Sequence, residues 1–363
     1  MGQPLKVGIV GVGAISAAYM STFERLEAVR LVAVADLDRE RARTVAAERG
    51  VRALAVDELV ADPEVDLVLN LTVPAAHAEV ALKAIAAGKG VYNEKPLAAG
   101  LEDALAVVEA GRAAGVPVGC APDTVLGTGV QTARKVIDDG GIGTPVAATA
   151  TMVTPGHERW HPNPDFYYQP GGGPLLDMGP YYLTALVTLL GPVVSVIGAA
   201  SRTRDTRVIG SGPRKGESIP VAVDTHATGV LRHESGVLST LLMSFDAVDT
   251  RAANIEVHGQ RGSMVVPDPN GFGGDVWLRP LDGEWSVREP DAGYLDAARG
   301  YGLADLAATP AGRQCRANGD LALHVLEVLT ALRSSAETDA AVAVASTCER
   351  PPAVPLQAAP QAP

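Results

Sequence analysis

The stretch GGGPLLDMGPYYL, Gly171–Leu183, sets Asp177 and Tyr181 four residues apart at the entrance to a long apolar run. Residues four apart share one face of a helix, so the two side chains can point into one cleft. Pro180 has no N–H and is tolerated in a first helical turn, which puts the helix start near Asp177. A plainer role for Asp177 follows from the same placement, that of an N-cap. The glycines, lacking side chains, let the loop lie close to whatever Asp177 and Tyr181 face, while Tyr182, ahead of TALVTLL, is expected in the core. A third group able to move a proton is Lys95, in NEKPL, Asn93–Leu97. It follows the strand-like GVY on the edge where open α/β sheets bind ligands, with Pro96 restricting its backbone. Partly desolvated beside another cation, such a lysine gives up its proton more readily and exchanges it with a hydroxyl; a solvated lysine in a strand-to-helix loop is the plain alternative.

The cation is suggested by the first strand. VGIV runs into GVGAIS, with Gly11 and Gly13 where a helix begins and Ser16 in the third position. Such a loop brings the backbone of Gly11, Gly13, Ala14 and Ile15 against a pyrophosphate, with the helix N-terminus offering N–H groups to the anion. Twenty residues past Ser16 a second strand ends at Asp36, where a carboxylate accepts from the adenosine ribose and repels a 2′-phosphate. NAD is therefore expected rather than NADP, with Arg39 and Arg41 nearby as the features that would favour NADP. A tight turn with an exposed aspartate is the alternative account.

GVGAIS, NLTVPAAH, NEKPL and GGGPLLDMGPYY, in this order and spacing, resemble the glucose-fructose oxidoreductase, inositol dehydrogenase and rhizopine-catabolism (Gfo/Idh/MocA) family of NAD(P)-dependent sugar oxidoreductases. The resemblance implies that Lys95 is the proton donor and acceptor, that Glu94 has a positioning role beside the nicotinamide, and that Leu71, Thr72, Pro74 and His77 contact the cofactor. His77 reads otherwise as an exposed residue of the following helix. It also implies that Asp177 and the residue at 181 flank the reacting carbinol. That residue is histidine in the family's motif, and Tyr181 is a departure shared with members resembling glucose-fructose oxidoreductase and dimeric dihydrodiol dehydrogenase. A phenol, with an ordinary pKa of about 10, does not titrate near neutral pH, so more of the acid–base work falls to Lys95.

HERWH, His157–His161, matches the letters of a zinc-binding HExxH, but Pro155, Gly156 and Pro162 break the helix that would align the two histidines, so no metal is expected. Trp160, Phe166, Tyr167 and Tyr168 crowd the same segment although aromatics make up 4% of the chain. Flat rings with polar tips suit sugar faces, giving His157, Trp160, His161 and Tyr168 as substrate-binding candidates beside Lys95, Asp177 and Tyr181. A packed structural loop is the alternative.

The elements that must position these groups are legible in outline. From Lys6 to Cys120, β-branched runs alternate with amphipathic segments followed by Gly50, Gly88 and Gly115, the pattern of a Rossmann-type parallel sheet. After Pro122, alternating runs predict an α+β domain with a large, mostly antiparallel open sheet. The expected domains are 1–122, binding NAD; 123–349, binding substrate and self-associating; and 350–363, a disordered Pro/Ala-rich tail. A net charge of −12 disfavours nucleic acid and anionic membranes as partners, and neither a leader nor a spanning segment is read, so a cytoplasmic homodimer or homotetramer, associating through the second sheet, is expected. Cys120, Cys315 and Cys348 show no disulfide or zinc spacing. The expected activity is NAD-dependent oxidoreduction of a sugar, cyclitol or glycoside. The alternatives are a redox-neutral NAD-dependent glycosidase, working by transient oxidation and elimination, and a non-catalytic NAD or sugar sensor.

Overall fold

A computed structural model describes residues 3–310 and 312–360. The chain forms two compact units, Met1–Thr128 with Ala292–Leu323 and Pro351–Pro363, and Gly129–Asp291 with His324–Arg350.

In the first unit, strands β1 (Leu5–Val10), β2 (Val29–Ala35), β3 (Arg52–Leu54), β4 (Leu67–Asn70), β5 (Gly90–Asn93) and β6 (Val118–Cys120) form one sheet in the order β3-β2-β1-β4-β5-β6. Every pair is parallel. Helices α1 (Ser16–Phe23), α2 (Arg39–Arg49), α3 (Val56–Ala61), α4 (Pro74–Ala86) and α5 (Leu101–Ala114) make the connections, as the alternating pattern requires. Gly50, Gly88 and Gly115 have φ of +64°, +73° and +67°, the left-handed exits that stop helices.

The second unit contains α6 (Thr128–Asp138), β7 (Pro145–Val153), α7 (Gly173–Asp177), α8 (Gly179–Leu190), β8 (Val193–Ser201), β9 (Thr206–Val208), β10 (Ser218–Pro220), β11 (His226–His233), β12 (Leu238–Ser244), β13 (Ile255–Gly259), β14 (Gly262–Val266), β15 (Val276–Pro280) and β16 (Ser286–Arg288). After α9 (Tyr301–Ala307), which belongs to the first unit, come α10 (Gly319–Thr338) and β17 (Val342–Ala343). The nine-stranded sheet runs β16-β15-β14-β13-β7-β12-β11-β8-β17, antiparallel except for β7 with β12. One face carries the core, including Ala148, Ala150, Met152, Leu231, Leu241, Met243 and Val257. On the other, in-register pairing sets Ile197, Val230, Thr240, Thr149, Glu256, Val265 and Trp277 in one row, and Ile197 is 58% exposed. All residues of α8 are buried, as a run with no polar face demands. Among the described residues no helix is long and apolar enough to cross a membrane, and the three cysteines are buried and form no disulfide.

The division departs from one boundary near 122, because the chain returns to the first unit at 292. Asp123, wholly buried, accepts from Gly300 N at 2.8 Å and Gly302 N at 2.9 Å. Residues 351–360 also depart from the expected disorder. Gly293 N donates to Val354 O at 2.9 Å and Leu295 N to Gln357 O at 2.8 Å, while Arg316 donates to Pro352 O at 2.9 Å and to Ala353 O at 3.2 Å. Here the tail's carbonyls accept, a role in which proline's missing N–H costs nothing, and Val354 is fully buried. Residues 361–363 of the expected tail lie outside the described residues.

Burial pushes the Asp123 carboxyl up to about 6, against the downward pull of the Gly302 and Gly300 N–H groups and Arg299. The folded chain therefore holds this proton more tightly than the unfolded chain. The stability it contributes is full below an unfolded value of about 4 and is lost as pH rises through about 6. Asp123→Asn keeps an acceptor for both N–H groups and removes the titration. Urea unfolding across this window is expected to show wild-type stability falling relative to the variant by up to about 3 kcal/mol.

Candidate functional site

In the first unit the expected residues gather at the carboxyl edge of the parallel sheet. Gly11 has φ +95°, and a Cβ there would sit 2.7 Å from Leu71 O, so the β1 loop runs directly against the β4 loop. A Cβ at Gly13 would meet nothing within 4 Å, and Gly13 and Ala14 are exposed, with Ile15 half-buried. Ser16, where a third glycine often stands, is buried and donates its hydroxyl to Gly13 O at 2.7 Å, closing the turn onto the N-terminus of α1.

Asp36 accepts from Val12 N at 2.9 Å, Asp38 N at 2.9 Å and Arg41 Nη2 at 2.7 Å. Burial alone would raise its carboxyl pKa, but Arg41 and the two N–H groups outweigh it and hold the group below the ordinary carboxylate value. Arg41, a feature that would favour NADP, is thus paired with Asp36.

Lys95 is half-buried, and its position is fixed through its backbone. Its N–H donates to Glu94 Oε2 at 2.9 Å, and Glu94 Oε1 accepts from Tyr19 Oη at 2.8 Å. Burial, then the Glu94 charge, push the Tyr19 phenol upward, keeping it a donor. Asn70 donates to Asn93 Oδ1 at 3.1 Å and His77 O at 3.0 Å, and accepts from the Thr72 hydroxyl at 2.7 Å. Asn93 in turn donates to Leu97 O at 2.9 Å. Leu71 is buried, Thr72 half-buried and Pro74 exposed at the start of α4.

His77 is neither exposed nor placed for a side-chain cofactor contact. It is fully buried, with Nδ1 2.7 Å from Pro96 O and Nε2 3.0 Å from Thr72 O. Its ring clamps the loop carrying Lys95 to the loop after β4, and burial lowers its pKa despite the two carbonyls.

In the second unit, Asp177 is the last residue of α7 rather than an N-cap. The cap of α8 is Met178, with no side-chain capping bond. Asp177 Oδ2 instead lies 3.2 Å from His157 Nε2. Tyr181 is buried in the first turn of α8. Tyr182 is in the core, accepting from Asn254 at 2.8 Å. Two of the three loop glycines answer to the protein's own backbone. A Cβ at Gly172 would sit 2.4 Å from Phe166 O, and one at Gly173 would sit 2.9 Å from Asp224 O, whereas Gly171 faces open space.

HERWH is a single 3₁₀ turn over His157–Arg159. Its Glu158 is buried, pairing with Arg207 Nη1 at 3.0 Å and accepting from Tyr168 Oη. Arg207, itself buried, also pairs with Asp246 and lies 5.3 Å over the Tyr168 ring. Tyr168 is therefore sealed in this cluster with 0% exposure and is not a substrate contact. The rings left open are Trp160, 58% exposed, and Phe166, 57% exposed. His161 lies 5.4 Å from each of them, its own pKa lowered by burial. His157 packs 4.4 Å from Phe245 and 4.6 Å from Tyr167. Arg207, Phe245, Tyr19 and Asn70 were not singled out from sequence. Arg207, Phe245 and Tyr19 meet their partners across a long stretch of chain, and only their residue types gave any signal.

The space at Gly13, the exposed loop ahead of α1 and the Asp36 carboxylate together fit a dinucleotide. Asp36→Ala is expected to weaken NADH binding about tenfold to a hundredfold, as loss of charged hydrogen bonds does, while weakening NADPH binding less. Fluorescence titration with both nucleotides checks this, and an unchanged preference between them would remove Asp36 as the discriminator.

A family model described as an oxidoreductase family, NAD-binding Rossmann fold, matches residues 5–121, and one described as the GFO/IDH/MocA C-terminal domain matches residues 130–265. The chain is 31% identical over 303 residues to 1,5-anhydro-D-fructose reductase of Ensifer adhaerens, covering 80% of this chain and 85% of that relative. It is 28% identical over 286 residues to myo-inositol 2-dehydrogenase of Thermotoga maritima, covering 76% and 81%. Among solved structures, an NAD binding oxidoreductase from Klebsiella pneumoniae superposes with a TM-score of 0.83 at 25% identity, covering 94% of this chain and all of that one. With both domain models matched in order and a relative 31% identical over 80% of the chain, the chain belongs to the GFO/IDH/MocA family of NAD-dependent oxidoreductases.

Proposed function

We propose that this enzyme oxidises a ring carbinol of a sugar, cyclitol or glycoside, or reduces the corresponding ketone, with Lys95 as proton donor and acceptor. The observation that carries the reading is the fixing of Lys95: half-buried at the end of β5, with its N–H held by a buried glutamate that Tyr19 holds in turn. A lysine so anchored keeps its stem direction while its amine exchanges a proton with the substrate hydroxyl. NAD, when bound, supplies the hydride acceptor. In this reading Asp177 and Tyr181 keep the roles that the family resemblance implies, the carboxylate accepting from a substrate hydroxyl and the phenol donating to one. His161 and the open ring of Trp160 supply polar and stacking contacts for the substrate. The relatives named for anhydrofructose reduction and inositol oxidation support a polyol substrate. Self-association as a dimer or tetramer through the open face of the nine-stranded sheet belongs to the same reading, supported by the exposed Ile197, Val230 and Trp277.

Purified protein with NAD, presented with free sugars, cyclitols and glycosides while NADH absorbance and aglycone release are followed together, tests the activity. Stoichiometric NADH is expected. Aglycone release without net NADH would replace the reading with a redox-neutral glycosidase, and inertness to every carbinol would leave a binding protein. Lys95→Ala should lower kcat about 10²- to 10⁴-fold, the range for loss of a general acid–base. Near-wild-type turnover in that variant would remove the lysine from proton transfer.

A further inference from the structure

The Asp177 carboxylate has a partner that the spacing of its own helix does not supply. His157, twenty residues earlier in a different element, directs Nε2 at Asp177 Oδ2 from 3.2 Å, with the two side chains 13% and 17% exposed. A carboxylate accepts, so the ring nitrogen facing it is the protonated one and the His157 tautomer is set. The opposite nitrogen, Nδ1, is buried and has no hydrogen-bond partner among the described residues. Rings enclose the imidazole, with centroids at 4.4 Å for Phe245, 4.6 Å for Tyr167 and 5.3 Å for Trp160. Beneath them the next residue, Glu158, is locked by the buried Arg207. Among the described residues the hydrogen bond of the imidazole is thus to Asp177, and the surrounding rings restrict its turning away. A histidine placed only to fill apolar space would leave two polar nitrogens to be satisfied, and phenylalanine would fill that space without such a cost.

We propose that His157 is a positioning residue for catalysis, holding Oδ2 of Asp177 so that the carboxylate keeps one orientation toward the substrate hydroxyl. It supplies from the preceding loop the imidazole that Tyr181 does not. The inference rests on the proposed oxidation of a carbinol for its kinetic consequence, but not for the existence of the pair.

Two variants separate the hydrogen bond from the packing. His157→Phe keeps a ring in the cage and removes Nε2, whereas His157→Gln loses the ring and keeps an N–H donor at comparable reach. On the carbinol found in the substrate panel, His157→Phe is expected to lower kcat about 10- to 100-fold, the loss of one charge-assisted hydrogen bond. KM for NAD should not change, and His157→Gln should recover most of the turnover. Asp177→Asn combined with His157→Phe should fall little below Asp177→Asn alone, because the two act as a unit. Full activity in His157→Phe, or a loss in His157→Gln as deep as in His157→Phe, would overturn the proposal. Nitrogen-15 spectra of the full chain labelled at histidine test the pair without substrate. A protonated Nε2 at His157 that shifts in Asp177→Asn supports it even if no carbinol is turned over, and an unprotonated Nε2 overturns it whatever the activity.

Discussion

The buried Glu94 carboxylate is the tie on which the cofactor half depends. One oxygen takes the Tyr19 phenol from α1 and the other takes the N–H of Lys95. The helix that follows the glycine loop and the strand end that carries the lysine are thereby referenced to a single group. Removing either donor would leave a buried carboxylate under-satisfied, a costlier state than losing an exposed contact. Around it, Asn70 and Asn93 bond to each other, and Asn70, Asn93 and His77 also bond to the backbone of the neighbouring loops. These bonds tie the loops at the edge of the sheet to one another.

The second unit solves the same problem with charge. Arg207 is 1% exposed and meets Glu158, Asp246, Pro155 O and Phe245 O, joining β9, the turn at His157 and the end of β12. Breaking one arm of such a buried cluster costs about 3–5 kcal/mol, although its net worth against an apolar replacement is small. Its value is geometric: it fixes the turn from which His157 reaches Asp177. The glycines at 172 and 173 make a similar contribution, allowing the loop to pack on backbone at Phe166 and Asp224.

Asp177 illustrates how function and fold divide the same segment. Capping would have consumed its oxygens locally, yet α7 ends on it and α8 begins without a side-chain cap. The helix gives up a stabilising contact worth about 1 kcal/mol, and the carboxylate faces a histidine instead. Local rules fail here at a residue read as functional, which is where such failures concentrate.

The sequence by itself determined what is periodic or local. The alternation of short apolar runs and amphipathic segments specified the parallel sheet. The glycine loop and an acid one strand later pointed to an NAD-binding Rossmann fold, which the family model over residues 5–121 matches, and Pro180 bounded a helix near Asp177. Each is a relation between residues a few positions apart, or between consecutive elements, and backbone geometry alone enforces it. Tertiary structure decided what depends on groups distant in the chain. It buried Tyr168 against Glu158 and Arg207 while leaving Trp160 and Phe166 open. It spent His77 on two carbonyls, paired Arg41 with Asp36, and brought residues 292–323 back to Asp123. It also docked a proline-rich tail whose composition reads as disorder, because carbonyls offered to Gly293, Leu295 and Arg316 need no N–H of the tail's own. Burial and partner choice are properties of the packed chain, and a side chain's type records only that a partner is needed, not which one it finds.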